Sequence, residues 1–172
     1  MRDAFMKTLE TNRLFIRPIT LDDAPFFVEL LNNPTFLENI GDRGVRTVED
    51  ARVYLLKGPL KSYEEQGFGF GLMVLKENGA PVGTCGLIKR EGLDDVDLGF
   101  ALMPEYQGKG YGFEASKAVL AFGREEIGLT RIVAIVLPGN RDSIHLLEKL
   151  GFTYEKMTKL PGDETELMLF GK

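Results

Sequence analysis

The run Asp97-Leu98-Gly99-Phe100-Ala101-Leu102-Met103-Pro104-Glu105-Tyr106-Gln107-Gly108-Lys109-Gly110-Tyr111-Gly112 holds the residues best suited to chemistry in this sequence. A strand-like segment meets a glycine-rich turn and then a helix start. Closely spaced glycines let successive amides point into the turn, and the helix N-terminus adds partial positive charge. Together they make a cradle for a pyrophosphate, to which Lys109 could add a cation. The nucleotide-hydrolase string G-x-x-x-x-G-K-[ST] does not occur, and the dinucleotide fingerprint G-x-G-x-x-G also fails. One cysteine, Cys85, and one histidine, His145, exclude an internal cystine and argue against any Cys- or His-cluster metal site. Cys85 lies within an apolar run, where a thiol is a small buried hydrophobe rather than a nucleophile. His145 reads as structural or surface.

These residues need elements to hold them. Leu14, Phe15, Ile16 and Ile19 form an extended segment, and Thr20 N-caps a helix over 21–32 that Asn33-Pro34 ends. A loop with Gly41 and Gly44 leads to Thr47, whose spacing to Asp50 resembles a capping box. The helix it opens reaches about Gln66, broken at Gly58-Pro59. Residues 68–75, 81–89 and 96–103 read as successive strands, the first two joined as a hairpin through Glu77-Asn78-Gly79. A helix over 111–126, a β-branched strand over 132–136, a helix over 140–150 closed by Gly151, and two short strands complete the chain. Antiparallel hairpins followed by a strand-helix-strand-helix unit predict one α+β domain over 1–172.

Composition narrows the partners. At roughly 150 residues per domain, 172 residues make about one. Hydrophobic residues at 44% and charged residues at 27% mark a chain that folds. Lys plus Arg number 21 against 26 Asp plus Glu, a net charge of −5, so nothing attracts the chain to a nucleic-acid backbone. No apolar run approaches the roughly 18 residues of a membrane span. Met1–Thr11 lacks the continuous apolar core of a leader peptide. The expectation is a soluble, cytoplasmic protein with no metal, no nucleic acid and no membrane partner.

Gln107-x-x-Gly110-x-Gly112 resembles the acyl-CoA signature Q/R-x-x-G-x-G/A of the GNAT N-acetyltransferase superfamily. Downstream, Asn140-Arg141-Asp142-Ser143 and Leu147-Glu148-Lys149-Leu150-Gly151-Phe152 are similar to its second signature, N-x-x-S followed by a helix ending L-G-F. Leu9-Glu10-Thr11-Asn12-Arg13-Leu14, Leu30-Leu31-Asn32-Asn33-Pro34 and Gly110-Tyr111-Gly112-Phe113-Glu114-Ala115 resemble the RimJ/RimL-type branch. The resemblance implies a GNAT fold: a mostly antiparallel twisted sheet with a central splay, flanked by helices on both faces.

It also implies acetyl-CoA as co-substrate and an amine as acceptor, either a protein N-terminal α-amine or a small amine or amino-acid-like metabolite. The resemblance implies direct attack in a ternary complex. A non-catalytic acyl-CoA-binding module is the rival from another class, and the chain is a monomer or a homodimer. By position, Phe100, Ala101 and Leu102 line the pantetheine arm, with the Leu102 N–H polarising the thioester carbonyl. Gln107, Gly108, Lys109, Gly110, Tyr111 and Gly112 hold the pyrophosphate, and Asn140 and Ser143 lie at the pantetheine's other side. Where relatives carry an acidic tyrosine this chain has Leu147, which leaves Ser143 as the donor to the sulfur. Asp97, at a position where relatives often carry Glu, and Glu38, in the loop bordering the acceptor, are the candidate bases. Asp97 also reads as part of a solvated acidic cluster with Asp94 and Asp95. Arg43 could clamp an acceptor anion, or pair with Asp42 or Glu38.

Overall fold

A computed structural model describes residues 7–172, so the leader expectation falls partly outside the described residues. In chain order the strands are β1 (Leu9–Glu10), β2 (Leu14–Pro18), β3 (Phe70–Leu75), β4 (Pro81–Ile88), β5 (Asp97–Leu102), β6 (Val133–Val136), β7 (Thr153–Thr158) and β8 (Leu167–Gly171). The helices are α1 (Ala24–Asn32), α2 (Pro34–Asn39), α3 (Val48–Lys57), α4 (Pro59–Gln66), α5 (Tyr111–Phe122) and α6 (Arg141–Lys149). One eight-stranded sheet runs β1-β2-β3-β4-β5-β6-β8-β7. Every neighbouring pair is antiparallel except β5 and β6. The α+β reading and the mostly antiparallel sheet therefore hold.

The strand alternation sorts the core into two layers. On β3, Leu72 joins Phe27, Leu30, Leu31 and Leu55 of α1 and α3, while Met73 and Leu75 join Ala115 and Val119 of α5 and Leu147 of α6. Adjacent β residues point to opposite faces, so one strand serves both layers. Thr47 caps α3 by accepting from the Asp50 amide at 3.0 Å, and Gly58-Pro59 separates α3 from α4. Pro34 ends α1 but also opens α2 at its first turn, with Asn33 accepting from the Phe36 amide at 2.9 Å. Glu38 thus lies on a helix rather than in a loop. A proline that stops one helix is preorganised to start the next.

The parallel junction positions the site. β5 and β6 share the single register pair Asp97 and Val133, backed by Val133 N–H to the Val96 carbonyl at 3.0 Å. Beyond it the strands diverge. The Met103 amide donates to Val82 at 2.9 Å, and Leu102 lies opposite Gly83 in an unbroken antiparallel register. That phase turns the amides of Leu102 and Phe100 away from β4 and into the gap. The close β4–β5 approach depends on Gly83, where an added Cβ would stand 2.0 Å from the Ala101 carbonyl oxygen. Gly83→Ala is expected to destabilise the fold by about 2–3 kcal/mol through overpacking. Calorimetry should show a Tm lower by about 5–10 °C; an unchanged Tm would contradict this account of the strand contact.

Candidate active site

The glycine turn folds as its residue types dictate. Gly108 and Gly110 adopt φ of +75° and +84°, a left-handed backbone that L side chains rarely take. Pro104–Tyr106 forms a short 3-10 turn before it, and α5 starts directly after Gly110. Among the described residues, no backbone carbonyl accepts the amides of Gly108 through Phe113. They form a free donor array at a helix N-terminus, suited to an anion. Gln107 donates through Nε2 to the Leu102 carbonyl at 3.3 Å, tying the turn to the end of β5.

Two cavities meet on this strand. The smaller, about 330 Å³, is lined by Leu102, Gln107, Gly108, Gly110, Tyr111 and Gly112. The larger, about 770 Å³, is lined by Glu38, Arg43, Tyr54, Asp97, Thr84 and Leu147, among others. Phe100, Ala101, Asn140 and Ser143 line both. The structure thus gathers the expected pantetheine residues at the junction of an amide-rich cleft and a larger chamber. Lys109 lines neither cavity; its carbonyl is turned to Arg13. Asn140 N-caps α6 by accepting from the Ser143 amide at 3.3 Å, which presents the Ser143 side chain at the junction.

Asp97 is no part of a solvated cluster. It is 1% exposed, and Asp95, two residues before it, pairs with Arg131 instead. Burial pushes the Asp97 carboxyl above the usual range, although Arg90 opposes this by donating from Nε to Oδ2 at 3.0 Å. Its other oxygen, Oδ1, has no partner among the described residues. A buried carboxylate oxygen without a donor is costly, which singles Asp97 out among the acids of this strand. Asp42 pairs with Arg46 at 2.6 Å, leaving Arg43 beside Tyr54 at the chamber wall. Burial raises the Cys85 thiol to about 12, so it supplies no thiolate at neutral pH.

Several site residues carry no signal in sequence. Tyr54 and Thr84 reach the chamber only through packing of α3 and β4. Phe113, with Lys117 and Lys149 Nζ at 5.5 and 4.5 Å from its ring centroid, flanks the smaller cavity. Among the described residues, no group of three or more His, Cys, Asp or Glu could hold a metal. No helix among them is long and apolar enough to cross a membrane.

A strand that parts from its neighbour beside an amide-rich helix start is suited to an elongated, anionic ligand. Residues 13–153 match the family model for the acetyltransferase (GNAT) domain, and the chain belongs to that family. It is an acetyltransferase of the class that uses acetyl-CoA as co-substrate. It is 31% identical over 156 residues to the uncharacterized N-acetyltransferase p20 of Bacillus licheniformis, covering 90% of this chain and 86% of that protein. An acetyltransferase from Agrobacterium tumefaciens shares the fold at TM-score 0.84 and 24% identity, covering 97% of this chain and 94% of that one. The ribosomal-protein-S5-alanine acetyltransferase of Vibrio fischeri shares it at TM-score 0.80 and 24% identity, with 97% and 96% covered.

Proposed function

We propose that residues 1–172 form one cytoplasmic N-acetyltransferase domain that moves the acetyl group of acetyl-CoA to a protein N-terminal α-amine by direct attack. The observation that carries this reading is the junction itself. Inward-facing amides of β5 and the unpartnered oxygen of Asp97 border connected cavities. The residues fit the co-substrate. The amides of Gly108 through Gly112 would hold its pyrophosphate, and Phe100–Leu102, Asn140 and Ser143 its pantetheine arm. The Leu102 N–H would face the carbonyl oxygen where negative charge develops. The amine nitrogen bonds to the carbonyl carbon, the C–S bond breaks, and Asp97 accepts the amine proton. Asp97 stands five residues before Leu102, roughly 16 Å along an extended strand, so a chain of waters carries the proton to it. Ser143 donates a hydrogen bond to the departing sulfur; Leu147, buried beside it, has no proton to give. Glu38, exposed on α2, sits at the chamber rim as a second acceptor for the proton.

The chamber is lined by Arg43, Lys57, Lys61, Lys89 and Arg90 against Glu38, Glu65, Asp97 and Asp163. Arg90 pairs with Asp97 and Lys61 with Glu65, so the wall is nearly balanced, and a peptide N-terminus brings one amine and several carbonyls to it. Arg43 favours a second reading, an amino-acid-like acceptor whose carboxylate it clamps. The test is calorimetric titration with acetyl-CoA and desulfo-CoA, then thiol release against peptides, amino acids and polyamines, with and without enzyme. Binding with peptide-dependent release is the expected result. Release with free amino acids alone selects the second reading. Binding without release selects a non-catalytic module, and absent binding overturns the reading altogether.

A further inference from the structure

The short connection between β1 and β2 lies three strands from β5 in the sheet, yet it touches the glycine turn. Thr11 Oγ1 donates to Glu114 Oε2 at 2.5 Å, the Arg13 amide donates to the same oxygen at 2.8 Å, and Arg13 Nε donates to Oε1 at 2.8 Å. Arg13 Nη1 continues to the Lys109 carbonyl at 2.9 Å, and the guanidinium lies 4.4 Å from the Tyr111 ring centroid. Although burial acts to raise the Glu114 carboxyl, donation from Thr11 and Arg13 outweighs it and holds the group below its ordinary range. The brace is thus an ionised pair, neutral in sum, spanning residues about a hundred positions apart.

A trans peptide is planar, with its C=O and N–H pointing to opposite sides. Pinning the Lys109 carbonyl on Arg13 therefore aims the Gly110 amide the other way, into the smaller cavity. Glu114 lies one turn into α5, so the same brace fixes the helix start relative to the turn. We propose that Arg13 is a positioning residue for the pyrophosphate amides, making the opening hairpin part of the donor grip. This rests on the acetyl-CoA reading above.

The experiment compares two donors: acetyl-CoA and S-acetylpantetheine, which lacks the pyrophosphate. Arg13→Ala should raise KM for acetyl-CoA and Kd for CoA by about 10–50-fold, the scale of one lost charge-assisted hydrogen bond. Its kcat, and its kcat/KM for S-acetylpantetheine, should stay within about threefold of the parent protein, a split that general structural damage does not produce. Arg13→Lys keeps the charge but not the fork, and should fall between. Arg17→Ala breaks the Arg17–Asp23 pair, at 2.8 Å, four residues along from Arg13, and should lower Tm without moving either donor's constants. Equal loss with both donors, or an unchanged Kd for CoA, overturns the proposal. Should Arg13→Ala fail to fold, Arg13→Lys and Glu114→Gln decide by the same split. A parent protein that binds CoA without turnover leaves the Kd comparison decisive for Arg13 while sinking the transferase reading; one that binds no CoA sinks both.

Discussion

Gly110→Asp is expected to raise Kd for acetyl-CoA about 10²–10³-fold, read by calorimetry. Two effects combine. The new side chain starts toward Arg13, so its carboxylate competes with the Lys109 carbonyl for the guanidinium and adds a negative charge beside the amides proposed to hold the pyrophosphate. Its backbone must also keep a φ of +84°, with a Cβ 3.2 Å from Arg13 Nη2, so the brace shifts too. Gly128→Asp is the control, because Gly128 has φ of +82° with nothing within 4 Å of an added Cβ. It carries the same strain away from both cavities and should lower Tm while leaving Kd unchanged. If the two variants bind acetyl-CoA equally well, the anion assignment to the glycine turn is wrong.

Asp97→Asn is expected to lower kcat by about 10²–10³-fold, the usual contribution of a positioned base, with KM for acetyl-CoA little changed. Stability should move the other way. Burial raises the carboxyl's pKa in the folded protein above its unfolded value. The group's favourable contribution is therefore complete below the unfolded pKa and lost as pH rises through the folded one. Asparagine carries no such loss, so the variant's Tm relative to the parent should rise across that window and level off above it. Arg90, with its side chain 27% exposed, can turn to water when its partner goes. The parent's acid-side activity limb, which reports ionisation of Asp97, should vanish from the variant's pH profile. A variant that keeps both its rate and that limb would leave Asp97 without a catalytic part and pass the role to Glu38.

Sequence reading succeeded where structure is local. The glycine turn is legible because only glycine takes the left-handed backbone that Gly108 and Gly110 adopt, and the helix starts at Thr47 and Asn140 are legible because a capping side chain sits next to what it caps. Pro34 shows the limit of that logic, since its role as a start depended on the carbonyl and amide partners on either side. Asp97 was harder still. Nothing in Leu93-Asp94-Asp95-Val96-Asp97 distinguishes the buried acid from the exposed ones until β4 brings Arg90 beside it. The tie from Arg13 to Glu114 lies beyond any periodicity, because it joins segments that only the sheet order brings together.

The divergence of β5 from β6 has a consequence for selectivity by shape. A sheet edge offers its unpaired amides and carbonyls to any extended chain, and proteins ordinarily hide or blunt such edges. Here two edges face each other inside the molecule, walled by Asn140, Ser143 and Leu147. Neighbouring strands lie about 4.8 Å apart, so a gap of this kind admits a slender, amide-bearing arm but not a second polypeptide sheet. On the proposed acetyl-CoA reading, such a guest would complete the hydrogen-bond ladder as if it were a ninth strand. It would thereby clasp the half-sheet β1–β5 to β6–β8, and at a hundredfold excess over Kd it would add about 2.7 kcal/mol to the stability of the whole.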